Sequence, residues 1–204
     1  IVQGRMGELE ALVAEFVAQH PGLWAWQAVL ALCHCELGRW DEARVVFERL
    51  AADDFASRPY DVNWLVGMAI SAEVCAELGD VSGAAVLAGL LAPYADQFVT
   101  AGPVSCFGSV ARYLGRLAAT MGHLDEADAH FAAAAAAQAR IGASAWLART
   151  QLDWANLLLT RQGHGDLQMA AQLLGQALAT ARQLALSTLE QRAVTLSTTR
   201  ECLG

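Results

Sequence analysis

The chain has 204 residues, of which 55% are hydrophobic and only 17% charged, with a formal net charge of -8 at pH 7. So apolar a composition excludes an intrinsically disordered polypeptide, and the length suits one large domain or a repeat array. The acidic balance and the lack of any basic run argue against binding nucleic acid or an anionic membrane surface through neutralised phosphates.

Abundant alanine and only 4 prolines favour helices throughout. Gly4 to Gln19 reads as one amphipathic helix, with Leu9, Leu12, Val13, Phe16 and Val17 as its stripe. Arg5-Met6-Gly7 has the form of a turn between paired helices. The chain opens Ile1-Val2-Gln3, without methionine and partway into that pattern, and reads as a piece of a longer polypeptide. His20-Pro21-Gly22 ends the first helix. Leu23 to Leu37 is the next, followed by the turn Leu37-Gly38-Arg39-Trp40. Asp41 and Glu42 then open a helix at the end where its dipole favours acids, with Ala43, Phe47 and Leu50 inward. Asp53 to Arg58 is a polar loop.

Pro59 precedes a helix from about Tyr60 to Leu78. Its turn is Leu78-Gly79-Asp80, and Ala84, Leu87, Ala88 and Leu91 mark the partner helix, which Pro93 stops. Ala92 to Gly102 is the longest stretch without helical signals, yet it carries Tyr94, Phe98 and Val99 and is predicted to be ordered and packed. Pro103 suits a first helical position. The helix from there ends at Met121-Gly122. Leu124, Ala127, Phe131 and Ala134 then form a stripe on a helix that runs through the alanine tract to about Arg140. Small residues at Gly115 and Ala127 let the two backbones approach closely. After Ile141-Gly142-Ala143, Ser144 to Arg161 and a helix carrying Ala170, Leu173, Leu174 and Ala177 make a further pair. Its turn, Gln162 to Asp166, is longer, with Asp166 capping the second helix. A last helix is predicted from Ser187 to Thr198.

The turn glycines Gly38, Gly79, Gly122 and Gly163 are spaced 41, 43 and 41 residues apart. A fixed period of this size means stacked hairpins, each burying its face against its neighbours. The predicted fold is therefore an all-α solenoid, a right-handed superhelix of about ten helices in antiparallel pairs with no sheet. It forms one domain over 1–204, with units at 1–20 (partial), 23–53, 60–93, 103–140 and 144–183 and a terminal helix at 187–198.

Leu37-Gly-Arg-Trp-Asp-Glu-Ala-Arg-Val-Val-Phe47 and Met121-Gly-His-Leu-Asp-Glu-Ala-Asp-Ala-His-Phe131 resemble the tetratricopeptide repeat, with Leu-Gly in helix A at Leu114-Gly115, a glycine turn, then Ala, an aromatic and Ala in helix B. The second unit departs from that pattern, with Gly83 before Ala84 and Ala88 where an aromatic is usual, and the first has Gln27 in place of Trp. Ala92-Pro-Tyr-Ala95, Gly108-Ser-Val-Ala-Arg-Tyr-Leu-Gly115 and Trp146-Leu-Ala-Arg-Thr-Gln-Leu-Asp-Trp-Ala155 are similar to the C-terminal helical region of large bacterial ATP-dependent regulators. That group includes LuxR-type activators and class III adenylyl cyclases linked to an AAA-like ATPase. The resemblance implies a cytoplasmic sensing or interaction module that follows the ATPase.

Catalytic chemistry finds little support. All 13 basic residues are arginine, which excludes a phosphate-loop lysine, a Schiff base and a lysine general base. The five cysteines, Cys33, Cys35, Cys75, Cys106 and Cys202, are odd in number, and four lie in apolar helical runs, as reduced core thiols do. No signal peptide or unbroken apolar span of about eighteen residues appears. Cys33-His34-Cys35 invites a metal, but helical residues two apart point roughly 200° apart. His123, Glu126 and His130 are the other metal candidates, with His123 in a turn and His130 at an outward position. Gly163-His164-Gly165-Asp166 lacks the lysine and spacing of a phosphate loop, and Ser105 and Ser109 lack a nucleophile elbow. The six tryptophans mostly keep helical spacing and read as core. No catalytic residue, metal or cofactor is expected.

In tetratricopeptide repeats, set positions of helix A line the concave groove. Carried over from the turn glycines, the resemblance places Val66, Ala69 and Glu73 there, then Ser109, Arg112 and Arg116, then Thr150, Asp153 and Leu157. Arg112 and Arg116 are four apart and project to one side. Either Glu73 and Asp153 neutralise them as internal salt bridges, or one arginine stays free for an anionic group of a partner. The expected function is a non-enzymatic module that binds a protein, a peptide or a small-molecule effector in this groove. The alternative is a structural spacer or homo-oligomerisation element, since uncapped array ends are apolar.

Overall fold

A computed structural model describes residues 6–102 and 105–203, with side chains described for 9–102 and 105–198. Ten α-helices account for most of the described residues: α1 (Met6–Gln19), α2 (Trp24–Glu36), α3 (Trp40–Ala51), α4 (Trp64–Leu78), α5 (Val81–Leu91), α6 (Val110–Thr120), α7 (Leu124–Arg140), α8 (Ser144–Arg161), α9 (Asp166–Gln183) and α10 (Ser187–Leu203). The chain is all-α in class.

The turns repeat one solution. Gly38, Gly79 and Gly122 each take a left-handed backbone (φ 71°, 66° and 79°), which glycine adopts without the Cβ penalty. At the second turn Gly79 caps α4, and the Asp80 carboxylate then accepts from the Ser82 and Gly83 amides, both at 3.1 Å, to start α5. The fourth turn differs. Gln162 and Gly165, not Gly163, carry the positive φ. Asp166 does not cap α9 with its side chain; its carboxylate accepts from the Gly163 amide at 2.7 Å and from Arg161, which ties the turn to α8.

Packing follows the predicted stripes. Ala43, Phe47, Leu114, Gly115, Ala127, Phe131, Ala134, Ala170 and Ala177 are all buried. The even-numbered helices pack in a row, α2 on α4, α4 on α6, α6 on α8 and α8 on α10. The odd-numbered helices α3, α5, α7 and α9 each pack against the members of that row before and after them in sequence. One core runs from α2 to α6 and a second from α8 to α10, with Phe131, Ala127 and Leu157 in a smaller cluster nearby.

Further expectations need correction. The connection after α5 is packed as predicted, with Val99 buried and the Tyr94 hydroxyl 2.9 Å from that of Tyr60, but it is not sheet-free. Strand β1 (Phe98–Ala101) pairs antiparallel with β2 (Ser105–Ser109) across a bulge between Phe98 and Thr100. As a result α6 begins only at Val110, where the Ser109 hydroxyl caps it by accepting from the Ala111 amide at 3.3 Å. Pro103, expected to start this helix, lies outside the described residues. The hairpin is held down by side chains: the Tyr113 hydroxyl donates to the Phe107 carbonyl at 2.6 Å, and the Trp146 indole to the Cys106 carbonyl at 2.9 Å.

The loop after α3 is not merely polar, because Phe55 is buried against Phe47. On α1 only Val13 of the predicted stripe is buried; Leu9 and Leu12 are 45% and 63% exposed. Of the tryptophans, Trp26 and Trp40 are exposed, not core. No helix among the described residues is long and apolar enough to cross a membrane.

Candidate functional site: a buried ionic centre and its cavities

Three successive even-numbered helices each present charged residues one turn apart: Glu73 and Glu77 on α4, Arg112 and Arg116 on α6, Arg149 and Asp153 on α8. Residues four apart share a helix face, and in these helices that face is the one turned toward the row. Glu73 is the hub. It receives Arg112 through two hydrogen bonds (Nη1 to Oε2 at 2.8 Å, Nη2 to Oε1 at 3.2 Å), Arg116 Nη1 at 2.5 Å and Arg149 Nη2 at 2.7 Å. Arg112 Nη2 also lies 2.6 Å from Asp153 Oδ2, an ionic contact without hydrogen-bond alignment. Arg116 Nη2 donates to Glu77 at 2.8 Å. The Arg149 guanidinium lies 5.9 Å from the Trp146 ring centroid, within cation–π range.

Burial alone would oppose ionisation of Glu73, yet Arg112, Arg116 and Arg149 hold its carboxyl well below the ordinary range. Asp153 is likewise held low against burial, chiefly by Arg112 and Arg116. Burial would also lower the two arginines, but Asp153 and Glu73 hold Arg112 well above its ordinary value, and Glu73 with Asp153 and Glu77 does the same for Arg116. Glu73, Asp153, Arg112 and Arg116 are therefore held in their charged forms around neutral pH.

The structure thus brings together Glu73, Arg112, Arg116 and Asp153, and it pairs the arginines internally. Of the two readings left open for these arginines, the structure has the internal salt bridges at Arg112, whose side chain is fully buried. Arg116 is 11% exposed. Ser109 and Thr150 are not groove residues. Ser109 is the α6 cap, and the buried Thr150 hydroxyl donates to Gln138 on α7 at 2.8 Å. Val66 and Ala69 belong to the core, while Leu157 is buried but reaches a cavity wall.

Three participants escaped the sequence reading: Glu77, Arg149 and Arg192. The four-residue spacing of Arg149 and Asp153, and of Glu73 and Glu77, was the available signal. Arg192, on α10, reaches Asp153 Oδ1 only at 3.9 Å.

Two cavities flank the centre. One of about 240 Å3 is lined by Arg116, Asp153, Asn156, Leu157, Phe131 and Arg192 among others. The other, about 230 Å3, lies between Cys35 and Glu36 of α2, Glu77 of α4, Arg149 of α8 and Thr188 and Arg192 of α10. Helices α2 and α10, the two ends of the row, therefore both line one space.

The metal candidates do not assemble. Cys33 and Cys35 are buried, and burial first, with nearby acids, pushes their thiols up to about 11 and about 12. Glu126 lies 3.4 Å from His123 and 3.7 Å from His130, but no group of three ligands suited to a metal ion is found among the described residues.

What fold and site define together is an all-α protein of paired helices around a buried ionic centre. The chain matches no protein-family model. It also matches no curated protein and no solved structure.

Proposed function

We propose that the chain is a tetratricopeptide-like α-solenoid, a right-handed superhelix of antiparallel helix pairs. It acts as a non-enzymatic interaction and ligand-sensing module of a multidomain signalling or transcription regulator in the cytoplasm. The observation that carries this reading is the row α2, α4, α6, α8 and α10, in which charged residues of α4, α6 and α8 meet at one centre with a cavity on either side, the second lined by α2 and α10 as well. Acid–base catalysis at pH 7 needs a group that titrates near pH 7. Here the carboxyls of Glu73 and Asp153 are held low, the guanidiniums of Arg112 and Arg116 are held high, and burial pushes the Cys35 thiol to about 12. Such groups suit recognition.

A thermal-melt screen of metabolites and short peptides tests this. A ligand that raises the midpoint and is recovered chemically unchanged is the expected result. A ligand converted with turnover would overturn the reading, and a screen with no stabilising ligand would favour a spacer.

One observation favours that second reading, a structural spacer or homo-oligomerisation element. Leu9 and Leu12 leave an apolar strip on α1 open to solvent. Sedimentation over a concentration series decides the oligomerisation part, because a concentration-independent monomer counts against it.

A further inference from the structure

We propose that the cavity between Arg192 and Phe131 binds a small organic carboxylate with an apolar tail. The inference rests on the reading of the inner side as ligand-binding, and it names the ligand class. The charged residues that line this cavity are Arg116, Arg192 and Asp153, so its wall carries one more cation than anion. The surplus falls on Arg192. Arg112, Arg116 and Arg149 each have a carboxylate oxygen within 2.8 Å. The nearest for Arg192 is Asp153 Oδ1 at 3.9 Å, beyond hydrogen-bond reach, and its side chain is 42% exposed. Glu36, on the wall of the second cavity, makes no ion pair among the described residues.

The Arg192 guanidinium thus offers a planar donor fork that matches a carboxylate two-to-two. It does so at the mouth of a cavity of about 240 Å3 that Arg116 also lines. Asn156 and Thr160 supply further polar groups there, and Leu124, Phe131 and Leu157 form an apolar wall. A monoanion balances the one surplus charge. A doubly charged phosphate would press a second negative charge toward the buried Asp153 carboxylate. The match is one carboxylate at Arg192 and a short hydrocarbon tail against Leu157 and Phe131.

The test uses the whole chain and three probes: isovalerate, its uncharged counterpart isoamyl alcohol, and inorganic phosphate. Calorimetry and amide-shift titration should show saturable binding of isovalerate with shifts at Asn156 and Arg192, and none for the alcohol or phosphate. Arg192→Gln should weaken isovalerate binding at least tenfold with the urea midpoint unchanged, and Arg192→Lys should restore part of it. Leu157→Ala, which shortens the apolar wall, is the second variant. The proposal is overturned by absent saturation with isovalerate, by equal affinity for the alcohol, by tighter binding of phosphate, or by wild-type affinity in Arg192→Gln. Failure on any of these leaves the interaction-module reading in place, since that reading falls only if an inner-side ligand is turned over or none exists.

Discussion

Arg149 and Glu73 lie 76 residues apart in sequence, yet Arg149 Nη2 donates to Glu73 Oε1 at 2.7 Å inside the protein. The contact joins α8 to α4 across α6, so three hairpins share one counter-charge. Buried ion pairs add little net stability over apolar packing, but removing one partner strands the others. Glu73→Gln keeps the shape and leaves three guanidiniums without their common anion. It should cost about 3–5 kcal/mol, whereas Arg149→Met leaves Glu73 still paired with Arg112 and Arg116 and should cost less. Urea unfolding of both variants and of the double variant measures this. Equal losses for the two single changes would show that Glu73 is not a shared hub.

The same centre sets the acid limit of the fold. Glu73 and Asp153 have folded values below their ordinary ones. A carboxyl depressed on folding contributes stability that is fully present above its unfolded value, about 4, and is lost as pH falls through the lower folded value. Stability is therefore expected to hold from neutrality to about pH 4 and to fall progressively below it. Asp153→Asn should flatten that decline. A urea midpoint independent of pH in acid would contradict this.

Much of the fold was legible because the turns impose a local rule. A left-handed residue after a helix selects glycine, so Gly38, Gly79 and Gly122 mark three hairpins at once. The β1–β2 hairpin was not legible: its strands span four and five residues and include a bulge, too short for alternation to show. What fixes it is tertiary, the Tyr113 and Trp146 side chains reaching its carbonyls from α6 and α8.

The site was legible in part for a related reason. Anchoring on Gly122 puts Arg112 and Arg116 on the correct face of α6. Anchoring on Gly163 likewise brings Asp153 to Arg112, although Gln162 and Gly165 take the left-handed positions in that longer turn. The position thirteen residues before each turn glycine fails in all three units: Val66 is core, Ser109 caps α6, and Thr150 faces Gln138 while its neighbour Arg149 reaches Glu73.

Gly115 tests the close approach of α6 and α7. A Cβ there would sit 2.8 Å from the Phe131 ring, which is itself buried and has little room to move. Gly115→Leu should cost about 1–3 kcal/mol by overpacking. Gly175, exposed on α9 with open space around its Cβ position, is the control. Gly175→Ala should gain up to about 1 kcal/mol from helix propensity. An unchanged thermal midpoint for Gly115→Leu would refute the close-approach argument.

Thiol reactivity should separate Cys106 from the helical cysteines. Cys33, Cys35 and Cys75 are buried, while Cys106 is exposed on β2. Burial, aided by nearby carboxylates, pushes the Cys33 thiol to about 11 and those of Cys35 and Cys75 to about 12. The thiolate is the reacting species, so these three have almost none of it at pH 8 and are also shielded from reagent. Brief alkylation of the native protein with iodoacetamide, read by peptide mass spectrometry, should label Cys106 and leave Cys33, Cys35 and Cys75 free. In denaturant all four should react at similar rates. Labelling of Cys35 or Cys75 in the native protein as fast as Cys106 would mean that α2 and α4 open far more readily than their packing around the ionic centre allows.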